Sequence, residues 1–325
     1  MSSSAKKLIL TAIVFITFIF LAIHLSISAK DTVTPKVLRG YVSSKDIKGY
    51  YANYKRLSDP EPEWKPTITN SSENPDLIEG HTGLIVDLDT NKIIYSKNAF
   101  EKMKIASLTK VMTAVVAVEH ADINLPIVVS SKAATIGENV MGVSAGETYT
   151  LNELLYGLFL ASGNDAAYAI AEGVAGDSDT FVTWMNIKAQ ELGLKDTIFY
   201  DPSGLDDRTT STASDLVKLS RYAINSMDIR RVGRATEIEL SSDTHKYIYL
   251  ENQTNLLKTY PGVEGLKTGY TEEAGLCLIT LAKNEGHELL GVVLNSLDRK
   301  GDMVLMLDYA FGTYGLKFEH HLLDK

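Results

Sequence analysis

KIASLTKVMTAVVAVEH occupies Lys104 to His120. From Val111 onward it reads as a core helix whose apolar face packs inside a domain. Ser107 and Lys110 stand at its mouth, and residues at i and i+3 share one helical face. A helix N-terminus offers free backbone N–H groups and a dipole that favour a developing anion. A serine hydroxyl is a weak nucleophile and needs a base beside it. A lysine can be that base only if burial or a second cation lowers its pKa. By itself S-x-x-K also describes a serine cap followed by a solvated lysine. Ser3/Lys6 and Ser4/Lys7 match the same pattern, so spacing alone decides nothing.

The elements around this helix give the fold. Upstream, GLIVDLDTNKIIYSKN (Gly83–Asn98) predicts two short strands about a turn at Asp89-Thr90-Asn91. Downstream, Thr150-Leu151-Asn152-Glu153 is a capping box before the apolar run LLYGLFLA. Ser162-Gly163-Asn164 breaks that run, and DAAYAIAEGVAG starts a second helix. Further helices fit DTFVTWMNIKAQEL and ASDLVKLSRYAINS. After Ala235, TEIEL, KYIYLEN, GLCLITLAK and HELLGVVLNS read as strands, with Asn284-Glu285-Gly286 turning the last two into a hairpin. Met303 to Tyr314 predicts a closing helix. A hairpin, then helices, then antiparallel strands is α+β order. The expectation is one sheet built from both ends of the chain, flanked by helices and with a helical subdomain beside it.

Two more short patterns sit where chemistry could use them. Ser162 and Asn164 share a tight interhelical loop, where a hydroxyl and an amide can point together into a cleft. The plain alternative is a helix-breaking turn, and Ser72-Glu73-Asn74 repeats the pattern. Lys267-Thr268-Gly269 falls on a predicted strand. A cation and a hydroxyl there could bind a carboxylate, and Gly269 would let a peptide come close along the edge. The alternative is a glycine bulge with a guard lysine. Taken together the three are far more specific: Ser162 follows Ser107 by 55 residues and Lys267 follows Ser162 by 105.

S-x-x-K, S-x-N and K-T-G in this order form the signature of penicillin-binding proteins and class A β-lactamases. From about Gly80 to Gly315 the chain resembles the serine-type D-alanyl-D-alanine carboxypeptidases, the low-molecular-weight penicillin-binding proteins of peptidase family S11. ASLTKVMTA, ASGNDAAYAIAE, DPSGLDD, STASDLVKLSRYA, TNLLKTYPGVEGLKTGYT and MLDYAF all look like segments of that family. The resemblance implies a β-lactamase/transpeptidase-like fold and an acyl-enzyme at Ser107. It implies Lys110 as base, with Lys267 helping to lower its pKa, and Ser162 as proton relay to the leaving D-alanine. Asn164 would orient the substrate, Lys267 and Thr268 would hold its carboxylate, and the N–H groups of Ser107 and Tyr270 would form the oxyanion hole beside Gly269. Arg299, in NSLDRKGDM, matches a carboxylate-binding arginine of the family, or is a surface arginine at a helix start. A class A β-lactamase needs a Glu-x-x-x-Asn in a loop after S-x-N. Between Ser162 and Lys267 only Glu251/Asn255 fits, and it lies next to the wrong motif. A transpeptidase, an endopeptidase and a catalytically silent binding protein remain as rival readings.

Composition narrows the rest. The 325-residue chain is 45% hydrophobic and 22% charged, which is globular, and its formal charge of −9 without basic blocks argues against a nucleic-acid partner. One cysteine, Cys277, forbids an internal disulfide, and the seven histidines show no zinc-binding spacing. No metal and no cofactor is expected. Lys6 and Lys7 precede an uncharged run from Leu8 to Ile27, long enough to span a bilayer with the short end in the cytoplasm. An uncleaved anchor is the expectation; the rival is a signal peptide cleaved near Ser26-Ile27-Ser28. The expected organisation is a membrane segment over 1–29 and an extracytoplasmic spacer over 30–77. The catalytic domain follows over 78–318, with a tail over 319–325. The expected partners are a peptidoglycan stem peptide ending in D-Ala-D-Ala, β-lactams as covalent inhibitors, and the cytoplasmic membrane.

Overall fold

The computed structural model describes residues 44–68 and 76–322. The expected membrane segment and the start of the expected spacer lie outside the described residues. Among the described residues no helix is long and apolar enough to cross a membrane.

The sheet is built from both ends of the chain, as its alternating pattern predicts. Its N-terminal strands are β1 (Thr67–Ile68), β2 (Thr82–Asp87) and β3 (Lys92–Lys97). Its C-terminal strands are β4 (Val263–Thr271), β5 (Gly275–Asn284) and β6 (His287–Ser296). The order across the sheet is β1-β3-β2-β6-β5-β4, which leaves β4 and its Lys267-Thr268-Gly269 at an edge. Neighbours run antiparallel except β1, which lies parallel to β3.

Side chains alternate across this sheet with a period of two. On β2 and β6, Leu84, Val86, Leu290, Val292 and Leu294 face the helical core. Ile85, Leu289 and Val293 face the other way, onto Met303, Met306, Leu307 and Phe311. Those four belong to the closing helix, Arg299–Gly312. It begins four residues earlier than the sequence pattern predicts. The Asp298 side chain accepts from Gly301 N–H and sets the start there.

α1 is Ser44–Ala52, and α2 is Lys110–His120, buried at all but one position. α3 is Leu151–Phe159, started by the expected capping box: Thr150 N–H donates to Glu153 Oε2 at 2.7 Å, and Glu153 N–H to Thr150 Oγ1 at 3.2 Å. α4 is Asn164–Ala175, begun at the break after α3. α2 is buried nearly all round because other helices pack against it on several sides.

Two expectations need correction. TEIEL and KYIYLEN are strands, Glu237–Ser242 and His245–Glu251, but they pair only with each other and stay outside the main sheet. The described part of the 30–77 stretch is not a free spacer. Tyr50 of α1 is fully buried, its ring 4.7 Å from that of His120. The phenols of Tyr50, Tyr51 and Tyr54 all donate to the Glu191 carboxylate. Lys55 N–H donates to Glu119 O at 2.7 Å, and Thr67–Ile68 extends the sheet. Tyrosines spaced along a polar segment carry enough apolar area to dock it, a signal that prolines and charges masked.

Candidate active site

The turn before α2 carries the first functional side chain. Ala106–Thr109 is a 3-10 turn, and the helix proper begins at Lys110. Ala106 has φ +46°, a left-handed conformation that an alanine adopts at a penalty of about 1–2 kcal/mol. Its surroundings hold it there. Thr109 Oγ1 donates to Ala106 O at 2.8 Å. Gly204 (φ +81°) lies so close that a Cβ on it would collide with Ala106 O. On the other side, a Cβ on Gly269 would come within 3.0 Å of Ile105 O and 3.2 Å of Ser107 N. Gly269 is thus the residue that lets β4 lie against the Ser107 turn.

Lys110 is fully buried at the centre. Its Nζ is 2.8 Å from Ser107 Oγ, 2.7 Å from Asn164 Oδ1 and 2.7 Å from Ser203 O. The Asn164 amide is oriented by its Nδ2, which donates to Gly137 O at 3.0 Å. Two of the three partners of Lys110 can therefore only accept. A neutral amine has two N–H groups and one lone pair. If the N–H groups go to Asn164 Oδ1 and Ser203 O, the lone pair faces the Ser107 hydroxyl. Burial lowers the Lys110 pKa to about 7, against the opposing charges of Asp201, Asp165 and Glu138. Of the two causes open from the sequence, burial or a second cation, burial is the main one.

Ser162 sits at φ +56° between α3 and α4, 2.9 Å from Lys267 Nζ. Lys267 is also fully buried and donates to Thr268 O at 2.8 Å. Its pKa falls well below the ordinary lysine value, through burial first and then the charges of Lys110 and Arg299. Arg299 Nη1 donates to Gly269 O at 2.7 Å, so the arginine belongs to the Lys267-Thr268-Gly269 strand and not to open surface. Thr268 is buried, whereas the Tyr270 side chain is 54% exposed at the rim. Asn164 departs from expectation in one respect: its carbonyl serves Lys110. Among the described residues no cluster of three or more His, Cys, Asp or Glu could hold a metal ion.

All nine residues singled out from the sequence thus converge, from one helix start, one interhelical loop, one edge strand and the closing helix. Three others were missed. Ser203 supplies the carbonyl for Lys110, Gly204 braces Ala106, and Asp201 folds the loop that contains both. Asp-Pro-Ser-Gly is a turn signature, but turn chemistry does not say what a turn faces. Glu251, the only candidate for a β-lactamase-type base, is a surface residue paired with Lys258 at 2.9 Å.

A model of the D-alanyl-D-alanine carboxypeptidase family, peptidase S11, matches residues 69–298. The chain belongs to this peptidase family. The chain is similar to the D-alanyl-D-alanine carboxypeptidase DacF of Bacillus subtilis, at 36% identity over 245 residues. That match covers 73% of this chain and 63% of DacF, so the chain spans less than two thirds of that relative. A D-alanyl-D-alanine carboxypeptidase crystal structure from Mycobacterium tuberculosis superposes with TM-score 0.70 at 31% identity, covering 77% of this chain and 96% of that one. A mutant Streptomyces DD-transpeptidase superposes with TM-score 0.68 at 29% identity, covering 72% of this chain and 98% of that one. The S11 peptidase described here thus has the α+β, penicillin-binding-protein fold that its motif order implies.

Proposed function

We propose that this S11 peptidase is a serine D-Ala-D-Ala carboxypeptidase that removes the terminal D-alanine from peptidoglycan stem peptides. The observation that carries the reading is the buried Lys110 amine, 2.8 Å from Ser107 Oγ and bound by two obligate acceptors, Asn164 Oδ1 and Ser203 O. Ser107 Oγ attacks the carbonyl between the two D-alanines as Lys110 takes its proton. The N–H groups of Ser107 and Tyr270 stabilise the oxyanion. Ser162 passes a proton to the departing amine as the C–N bond breaks. Water then hydrolyses the ester and frees Ser107. The substrate strand adds to the open edge of β4, and its carboxylate meets Lys267, Thr268 and Arg299. β-Lactams follow the same acylation step and stay attached as an ester on Ser107.

Incubation with a stem pentapeptide tests this directly. Free D-alanine from the wild type and none from Ser107→Ala is the expected result. A penicillin adduct that survives Ser107→Ala would overturn the assignment. Cross-linked dimers in place of free D-alanine would instead identify a transpeptidase, the activity named for one structural neighbour.

We also propose that residues 8–27 anchor the chain, with the catalytic domain outside the cytoplasm. The support is an uncharged run behind Lys6 and Lys7. Release of the full-length chain from membranes by high salt would count against it.

A further inference from the structure

We infer that Asp201 is a positioning residue, which fixes the Ser203 carbonyl and through it aims the Lys110 lone pair at Ser107. The inference rests on the acyl-transfer reading above and adds a residue to it.

The geometry is that of an anion in a nest of backbone donors. Asp201 is 5% exposed. Its carboxylate accepts from the N–H of Ser203 at 3.1 Å, of Gly204 at 3.0 Å and of Leu205 at 3.2 Å. The Ser203 hydroxyl donates to it as well. So many donors on one side chain curl residues 201–205 into a tight loop with its carbonyls turned outward. Two of those carbonyls meet α2: Pro202 O accepts from Thr113 Oγ1 at 2.5 Å, and Ser203 O from Lys110 Nζ at 2.7 Å. The same loop brings Gly204 against Ala106 O, beneath the left-handed residue that precedes the nucleophile. One carboxylate therefore controls both the base and the turn that carries Ser107, while touching neither side chain.

Asp201 has a second lever on Lys110. The charged groups whose fields reach the amine are Asp201, Asp165, Glu138 and Lys267, and Asp201 is the largest of the three opposing burial. Its negative charge favours the ammonium. Without it, Lys110 loses its proton at lower pH.

The test is the acylation rate of the full chain by a fluorescent penicillin across pH, for wild type, Asp201→Asn and Asp201→Glu. Asp201→Asn removes the charge and replaces an acceptor with a donor facing donors. Its acid limb should move to lower pH, and its plateau should fall on the order of tenfold to hundredfold, as a misplaced base would give. Asp201→Glu keeps the charge but displaces the loop. Its limb should stay at the wild-type pH while its plateau falls. A limb that does not move in Asp201→Asn would overturn the inference, since a purely structural role lowers the plateau at every pH alike. A wild-type plateau in either variant would also overturn it. If Asp201→Asn does not fold, Asp201→Ser takes its place, since it also removes the charge and can still accept from the loop: its limb must move to lower pH, and an unmoved limb refutes the inference. If the wild type takes no penicillin, the acyl-transfer reading itself has failed. Titration of the Lys110 Nζ resonance in [15N]lysine protein then still decides whether Asp201→Asn lowers its pKa.

Discussion

Replacing Lys110 by methionine should abolish acylation yet stabilise the protein at low pH. The lysine amine titrates near 10.5 in an open chain and at about 7 in this fold. At about 1.36 kcal/mol per pH unit, holding the charged form in the fold costs about 4–5 kcal/mol. The sign follows from proton linkage. Between about pH 7 and 10.5 the unfolded chain binds the proton and the fold does not, so wild-type stability from this group rises with pH across that window. Below it both states are protonated and the full penalty stands. Methionine is similar in length and carries no charge. It leaves Asn164 Oδ1 and Ser203 O with one partner fewer, a loss that does not depend on pH. The difference in stability between variant and wild type should therefore drop by about 4 kcal/mol from pH 6 to pH 10. Urea unfolding of both proteins at several pH values gives that difference, in which the titrating groups that do not feel the Lys110 charge cancel. Parallel stability curves would refute the reasoning, because they would mean that Lys110 titrates alike in the folded and unfolded chain.

Three further outcomes follow from the same geometry. The rate of penicillin acylation should rise with pH through a midpoint near 7, as Lys110 becomes neutral and able to accept a proton; a profile flat from about pH 5.5 to 8.5 would contradict this. Gly204→Ala forces a side chain into a left-handed position against Ala106 O, and should destabilise by about 3 kcal/mol or more, lowering Tm by about 6–12 °C in a scanning calorimeter, with loss of acylation in the folded fraction. Tyr50→Ala should cost about 3–5 kcal/mol in urea unfolding, because the ring is enclosed by His120 and Trp184; a change near zero would return this segment to the status of a spacer.

Much of the fold was legible because it rests on local rules. Alternation along Gly83–Asn98 and over the last two strands follows from the pleat, and the Thr150/Glu153 box is a short-range hydrogen-bond pattern. The separate hairpin at 237–251 was not separable from the main sheet, because period-two alternation says that a strand has two faces and not which strand it pairs with. The docking of α1 was hidden for a similar reason. The anchors of α1 and the residues just after it, Glu119, Lys188 and Glu191, lie 60 or more residues away, and a polar segment with four prolines nearby looks the same whether or not a distant surface receives it.

The sequence by itself determined which side chains would meet. Ser107, Lys110, Ser162, Asn164, Lys267, Thr268 and Gly269 are marked by three short patterns in one order, each on an element type set by its neighbours. What only the tertiary structure decided is the state of Lys110. Its three partners come from positions 107, 164 and 203, and the burial that lowers its pKa comes from the whole domain. Desolvation and lone-pair direction are sums over distant segments, so no local spacing encodes them. They are also the properties that separate a solvated lysine from a base.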